Sequence, residues 1–346
     1  MASLRTKFLL LVCALLLLLH RWWLPLGGML YDLAALPARW KDAASQSVIT
    51  QERDHFDVSF EAYETNQTTA GSDYPDLVPP ILHHINLGAK PPRAEWLAAR
   101  LNCLRHHQGW QSFLWDDASA NAFVQENFPH LKDMWDNYRY PVQRVDALRY
   151  MVLQKYGGAV LDLDLSCKRS LGPLRRFDFV APAAHPTGFS IGMMLSSPNN
   201  TFVRDLVDNL PKYNRAWFFL PYVTVMFSTG CHYASTIFTL QRNRSSLRIL
   251  TGPRSSPRMH MLNGYVDTPL FRHLGSSSWH SFDALLINLL GHPRKGPLVV
   301  LLVALSFISG SLLAVCMTCR LRRQHFSSGK NTRKENGGNS SILKVA

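Results

Sequence analysis

Between Tyr140 and Leu174 the chain reads YPVQRVDALRYMVLQKYGGAVLDLDLSCKRSLGPL. Val145, Leu148, Met151, Val152 and Tyr156 fall at helical spacing across residues 142–156. Gly157-Gly158 stops that helix, because glycine takes the left-handed C-terminal conformation cheaply. Ala159, Val160 and Leu161 restart the chain as a buried strand that runs into Asp162-Leu163-Asp164. Upstream, Ile81 to Ile85 reads as a short buried strand, Glu95 to His107 as an amphipathic helix and Gln111 to Trp115 as the next strand. That β-α-β order, leading into a further helix and strand, belongs to an α/β fold.

Strand alternation predicts Asp162 and Asp164 on one face with Leu163 on the other. Two carboxylates pointing the same way repel each other. A divalent cation removes the repulsion, and hard oxygen ligands favour Mg2+ or Mn2+. On the preceding helix Asp146 and Arg149 lie three residues apart on one face, with Arg144 nearby. An arginine beside a metal is a place to hold phosphate. An Asp-x-Asp alone is commonly a solvated strand end; the apolar lead-in, the Gly-Gly stop and the Arg/Asp pair set this one apart as a site for a metal-bound diphosphate.

Two more blocks follow in order, Tyr213 to Gly230 (YNRAWFFLPYVTVMFSTG) and Gly275 to His280 (GSSSWH). With these blocks the segment 77–293 resembles the Och1-like sugar transferases of glycosyltransferase family 32, and within them the mannosyl inositol phosphorylceramide synthases. The resemblance implies a GT-A-like, α/β nucleotide-sugar-binding domain with a mixed central sheet. It implies Mn2+ (or Mg2+) held through Asp162 and Asp164, GDP-mannose as donor, inositol phosphorylceramide as acceptor, and retention of configuration. By the same likeness Asp146 orients donor hydroxyls, Arg149 supplies positive charge at the diphosphate with Arg144 beside it, and Trp279 covers the sugar. Trp115 and Asp116 fall near the sugar nucleotide, Ser228-Thr229-Gly230 near the acceptor, and Ser278 and His280 in a loop that closes on the donor. Cys231 stands where the family has proline. A multi-span regulatory membrane subunit is implied as partner. Two other functions stay open: transfer of mannose to protein-linked glycans, as in Och1-like relatives, and an inactive membrane partner subunit. The apolar C-terminal run and the FLPYVTVMFSTG block favour the lipid acceptor, and the presence of Asp146, Arg149, Asp162, Asp164 and Trp279 favours activity.

The chain has 346 residues, 47% of them hydrophobic, unevenly spread. Residues 297–319 carry no charge and are long enough to cross a bilayer as a helix. Phe8 to Leu19 is apolar too, behind Arg5 and Lys7, and the apolar character resumes from Leu24 to Leu36 after Trp22 and Trp23. Residues 8–36 read as a signal anchor, with a cleaved signal peptide as the other reading. The formal net charge of +13 points away from nucleic acid, because seven bases against Glu335 crowd into the tail 320–346 and Arg5 and Lys7 into residues 1–7. Bases flanking apolar spans mark the cytosolic side. The middle segment then lies in the lumen of the secretory pathway, and the resemblance implies a Golgi-membrane protein with a lumenal catalytic domain; the sequons at Asn66, Asn199 and Asn243 all lie in that segment. Of six cysteines, Cys103, Cys167 and Cys231 lie there, which allows one disulfide and no disulfide framework.

Residues 37–76 are polar, helical at first and then irregular, and read as a stem. His83 and His84 either pack or reach the nucleotide; Asp116 and Asp117 either cap the next helix or edge the site. Phe218 to Phe227, with Trp217, is either core or a ridge facing a membrane.

Overall fold

The computed structural model describes residues 24–217 and 220–275, together with Phe8, Val12, Cys13, Asp283 and Ala284. The chain divides into two units, Met1–His280 and Ser281–Ala346, and the first holds the fold that follows. It opens with helices α1 (Leu24–Ala34), α2 (Leu36–Ser47) and the short α3 (Gln51–Asp54). Strand β1 (Ile81–Ile85), helix α4 (Ala94–His106) and β2 (Gln111–Trp115) come next. Helices α5 (Asp117–Asn127), α6 (Lys132–Asp136) and α7 (Pro141–Tyr156) lead to β3 (Gly158–Leu161) and β4 (Leu165–Cys167). After β5 (Phe179–Pro182) and β6 (Met193–Ser196) come α8 (Thr201–Tyr213), α9 (Pro221–Ser228), α10 (Cys231–Leu240), β7 (Leu247–Leu250), β8 (Tyr265–Asp267) and β9 (Phe271–Leu274).

Six strands form a mixed sheet in the order β2-β1-β3-β6-β5-β7. β6 pairs antiparallel with both its neighbours, and the other pairs are parallel. The mixed α/β sheet expected from the sequence is therefore present. Strands β4, β9 and β8 make a second, antiparallel sheet. Alternation divides the side chains between two cores: Val160, Met194, Phe179 and Ile249 pack under α5, α7, α8 and α10, while Ala159, Leu161, Met193 and Val180 face α4 and the small sheet. The connection leaving β1 enters α4 on one face, and that leaving β2 enters α5 on the other. Diverging connections open a crevice at the carboxyl ends of neighbouring strands, the usual ligand position in such sheets.

The Gly-Gly break is a steric requirement. Gly157 and Gly158 have φ of 65° and 93°, and a Cβ on them would lie 2.7 Å from the Pro198 nitrogen and from the Ile81 carbonyl oxygen. Cys103 of α4 is disulfide-bonded to Cys167 of β4, so the one middle-segment bridge that the cysteine count allows ties the small sheet to α4.

The N-terminal segment departs from expectation. Residues 37–76 are not a detached stem: Phe56 and Phe60 are fully buried in the second core, Val48 bridges Ile249 beside β7, and Asp54 binds Arg248 at 3.0 Å. Aromatic residues in a polar-looking segment supplied the apolar surface that docks it. The later part of 8–36 also belongs to the domain, since Met29, Leu33 and Leu36 are buried. No helix among the described residues is long and apolar enough to cross a membrane; the span expected at 297–319 and most of 8–23 lie outside the described residues.

Two outcomes follow for stability. Removing residues 1–76 should leave the remainder unable to fold, seen as loss of a cooperative thermal transition, whereas loss of a true stem would leave the transition intact. Cys167→Ser should lower unfolding free energy by about 2–4 kcal/mol, read by chemical denaturation under non-reducing conditions.

Candidate active site

Helix α7 carries the centre of the site. Asp146 and Arg149, three residues apart, face the same way and are both buried, with Nε of Arg149 3.5 Å from Oδ1 of Asp146. Arg149 reaches on to Asp162, Nη2 to Oδ1 2.5 Å, and donates from Nη1 to the Ile191 carbonyl at 3.2 Å. One guanidinium thus joins two carboxylates from separate elements. Burial alone would disfavour its charge, but Asp162 and Asp146 outweigh that and hold it firmly protonated. Burial pushes the Asp146 carboxyl up to about 6, against the pull of Arg149 and with the Asp162 charge adding to the rise.

The Asp-x-Asp segment is a turn rather than the end of a strand. β3 finishes at Leu161, and the Leu165 amide donates to the Asp162 carbonyl at 3.1 Å. The two acids are therefore placed by turn geometry, not by pleat alternation: Asp162 meets Arg149, while Asp164 lies beside His273 of β9, 3.7 Å from its Nε2. The Asp162 side chain keeps 32% of its surface exposed and that of Asp164 11%. The Asp162 amide donates to the Gly192 carbonyl at 2.8 Å. A Cβ at Gly192 would lie 2.7 Å from Oδ2 of Asp162, so the space beside this carboxylate exists only because residue 192 is glycine.

The block 228–230 comes to α7 from behind. Thr229 donates from its hydroxyl to Oδ2 of Asp146 at 3.1 Å, and Tyr150 donates to the Thr229 carbonyl. Gln143 donates from Nε2 to the Ser228 hydroxyl at 2.7 Å. Ser228 and Thr229 are fully buried; they fix the Asp146 side of the site rather than lining an open acceptor pocket. Gly230 closes α9, its amide bonded to the Val225 carbonyl at 2.9 Å.

Other sequence candidates sit elsewhere. Arg144 pairs with Asp117 at 3.3 Å and lies over the Trp135 ring, away from Asp162 in its contacts. Asp116 caps α5 in a capping box with Ser119, and Asp117 accepts from the Gly88 amide at 2.6 Å. Trp115 is buried in a stack with His83, Phe113 and Tyr156, and its Nε1 donates to Nδ1 of His83 at 3.2 Å. His83 then presents its other nitrogen to the Gly157 carbonyl at 3.0 Å, and burial lowers its pKa to about 4. Of the two readings for His83, packing is the one observed. His84 is likewise buried and neutral, its pKa lowered to about 3 by burial. Ser278, Trp279 and His280 lie outside the described residues. Gly192 and His273 escaped the sequence reading: one is a lone glycine ahead of an apolar strand, the other a histidine in a strand 109 residues beyond Asp164, and neither carries a local pattern.

The donors suit a divalent cation. Asp162 and Asp164 offer hard oxygens from one turn, and Gly192 keeps room beside the first of them. No cluster of three or more His, Cys, Asp or Glu suited to an ion occurs among the described residues. Diphosphate oxygens and water would complete the shell, as is usual for Mg2+.

Residues 94–180, from α4 into β5, match the family described as glycosyltransferase sugar-binding region containing DXD motif. This segment is similar to DXD-type glycosyltransferase regions. The chain is 34% identical over 221 residues to the mannosyl phosphorylinositol ceramide synthase SUR1 of Saccharomyces cerevisiae, covering 62% of this chain and 55% of that one. It is 31% identical over 212 residues to CSH1, the synthase of the same name from that yeast, covering 61% and 55%. Inositol phosphoceramide mannosyltransferase 1 of Schizosaccharomyces pombe is 27% identical over 267 residues, covering 75% and 79%. The chain thus spans about half the length of the first two relatives. Among solved structures, the PaToxG glycosyltransferase aligns with a TM-score of 0.38 at 13% identity over 61% of this chain and 78% of that one, a likeness too slight to carry an argument. The DXD of the matched region is Asp162-Leu163-Asp164, and the region also contains Asp146 and Arg149.

Gly192→Ala should displace the Asp162 carboxylate and lower kcat about a hundredfold, on the scale of losing one preorganised group, while the thermal midpoint moves little. An alanine variant with wild-type turnover would show that Asp162 does not need that space.

Proposed function

We propose that the chain transfers mannose from GDP-mannose to inositol phosphorylceramide, with retention, on the lumenal side of a Golgi membrane. The observation that carries the reading is the single guanidinium of Arg149 held between Asp146 and Asp162, beside a DXD turn at the carboxyl ends of the parallel strands. The relatives' names supply the substrate class: they act as inositol phosphoceramide mannosyltransferases or as synthases of the mannosylated lipid.

Mn2+ or Mg2+, held through Asp162 and Asp164, would neutralise charge on the donor diphosphate. Arg149 is fixed in direction by its two carboxylates and the Ile191 carbonyl, so its positive charge needs no reorganisation as phosphate charge develops. Asp146, held by Thr229 and Arg149, would orient donor hydroxyls. Ser278, Trp279 and His280, following Gly275 in sequence, would shield the sugar from water. No dedicated base is assigned, as the retaining assignment requires none.

The lumenal placement draws on two features. The Cys103–Cys167 disulfide suits an oxidising compartment, and the sequon asparagines Asn66, Asn199 and Asn243 are all exposed. A multi-span membrane subunit as partner remains part of the proposal, resting on the family resemblance alone.

Asp162→Asn and Asp164→Asn should each cost on the order of a hundredfold to a thousandfold in kcat, about 3–4 kcal/mol, with the circular dichroism spectrum unchanged. The deciding assay supplies GDP-mannose, Mn2+ and purified inositol phosphorylceramide. Mannosyl transfer that stops with chelator and returns with Mn2+ supports the reading; transfer to protein-linked glycans and not to the lipid sinks it.

A further inference from the structure

Helix α1 has an outer side that does not suit water. Met29 and Leu33 seat it on the core, while Leu24 and Tyr31 are 63% and 65% exposed and Leu30 38%. Between them Pro25, Gly27 and Gly28 are also exposed, and a Cβ on either glycine would meet nothing within 4 Å. The helix contains a single charged residue, Asp32, which is tied to Arg39 at 3.0 Å and lies 3.9 Å from Lys212. A surface helix of a water-soluble domain normally sets polar residues opposite its buried stripe, and a contiguous exposed apolar patch marks a contact surface.

The patch continues toward the active site. His232, the second residue of α10, is hydrogen-bonded through Nε2 to the Leu33 carbonyl at 2.8 Å. Its ring lies 4.6 Å from that of Phe227 in α9. Met226 and Phe227 are only partly buried, and α9 ends at Ser228, one residue before the threonine that holds Asp146. The partly exposed end of α9 is thus linked through His232 to α1, and α9 leads on to the buried threonine that holds Asp146.

We propose that this surface lies in the headgroup and upper acyl region of a lipid bilayer. Chain order and charge argue for that occupant. Immediately before α1 the sequence is the uncharged run Phe8 to Leu19 followed, after His20 and Arg21, by Trp22-Trp23, and tryptophans favour the membrane–water boundary. At the edge of the patch Arg39 and Lys212 outnumber Asp32, which suits anionic headgroups. Met29 and Leu33 already commit one side of α1 to the protein core, which suits a helix lying along a membrane surface with its other side in the lipid. The benefit to the reaction depends on the lipid acceptor proposed above: such an acceptor would reach the Asp146 side laterally, with its chains still in the bilayer.

The test is a depth measurement that needs no enzymatic activity. The full chain is reconstituted into phosphatidylcholine–phosphatidylserine vesicles with Cys13, Cys231, Cys316 and Cys319 replaced by alanine and Cys103 and Cys167 kept. Single cysteines are introduced by L24C or Y31C on α1, and by L101C on α4 or Y265C on β8 as controls exposed elsewhere. Each is labelled with an environment-sensitive fluorophore. Nitroxide-bearing lipids should quench the labels at 24 and 31 and spare those at 101 and 265. Labels at 24 and 31 that respond like the controls overturn the proposal. Labels shielded from both nitroxide lipid and aqueous iodide also overturn it, because the surface is then covered by protein, whether the chain's own apolar C-terminal run, a second copy or another subunit. Should the depth pattern hold while no inositol phosphorylceramide is mannosylated, the acceptor assignment fails and the membrane seat stands.

Discussion

A buried positive charge needs partners, and the partners of Arg149 define this protein. Taking an isolated ion out of water costs several kcal/mol even after relaxation, so the guanidinium is stable in place only because Asp146 and Asp162 flank it. The dependence runs both ways, since each carboxylate is compensated by the same arginine. Asp146 comes from the helix before the Gly-Gly break and Asp162 from the turn after β3. The break between them is fixed by the close approach of Pro198 and Ile81 to its glycines. In the proposed reaction such a triad would hold its charges ready for a diphosphate without having to assemble them at the moment of reaction.

The sheet supplies the location. β1, β2 and β3 run parallel, so their carboxyl ends share an edge. That edge gathers the turn of Gly88 onto Asp117, the cap at Asp116 and the DXD turn. The antiparallel partner β6 brings Ile191 and Gly192, which receive Arg149 and leave space for Asp162. The small sheet adds His273 beside Asp164, and the Cys103–Cys167 bond keeps that sheet against α4. Each carboxylate of the DXD turn is thus set by a different neighbour.

The N-terminal segment links the catalytic unit to its surroundings. Phe56 and Phe60 make residues that look like a linker part of the core, and α1 turns an uncharged side outward next to α9 and α10. For an enzyme proposed to act on a lipid, the proposed seat of α1 on a bilayer would keep acceptor and site within reach. Residues 24–76 are integrated into the fold through Met29, Leu33, Phe56 and Phe60.

By itself the sequence determined the α/β class, the α7–Gly-Gly–β3 unit and the pairing of Asp146 with Arg149, because helical period, glycine stereochemistry and i,i+3 spacing are local properties. It also marked Asp162 and Asp164 as the acids of a DXD region. Only the tertiary structure decided what each of those acids meets, since the turn at 162–164 released them from strand alternation. Tertiary packing likewise turned Trp115 and His83 into a buried stack, drew Arg144 to Asp117, and placed Ser228 and Thr229 behind Asp146. Gly192 and His273 were invisible beforehand because their roles come from contacts across the sheets, and contacts between distant residues leave no periodic trace in a single chain.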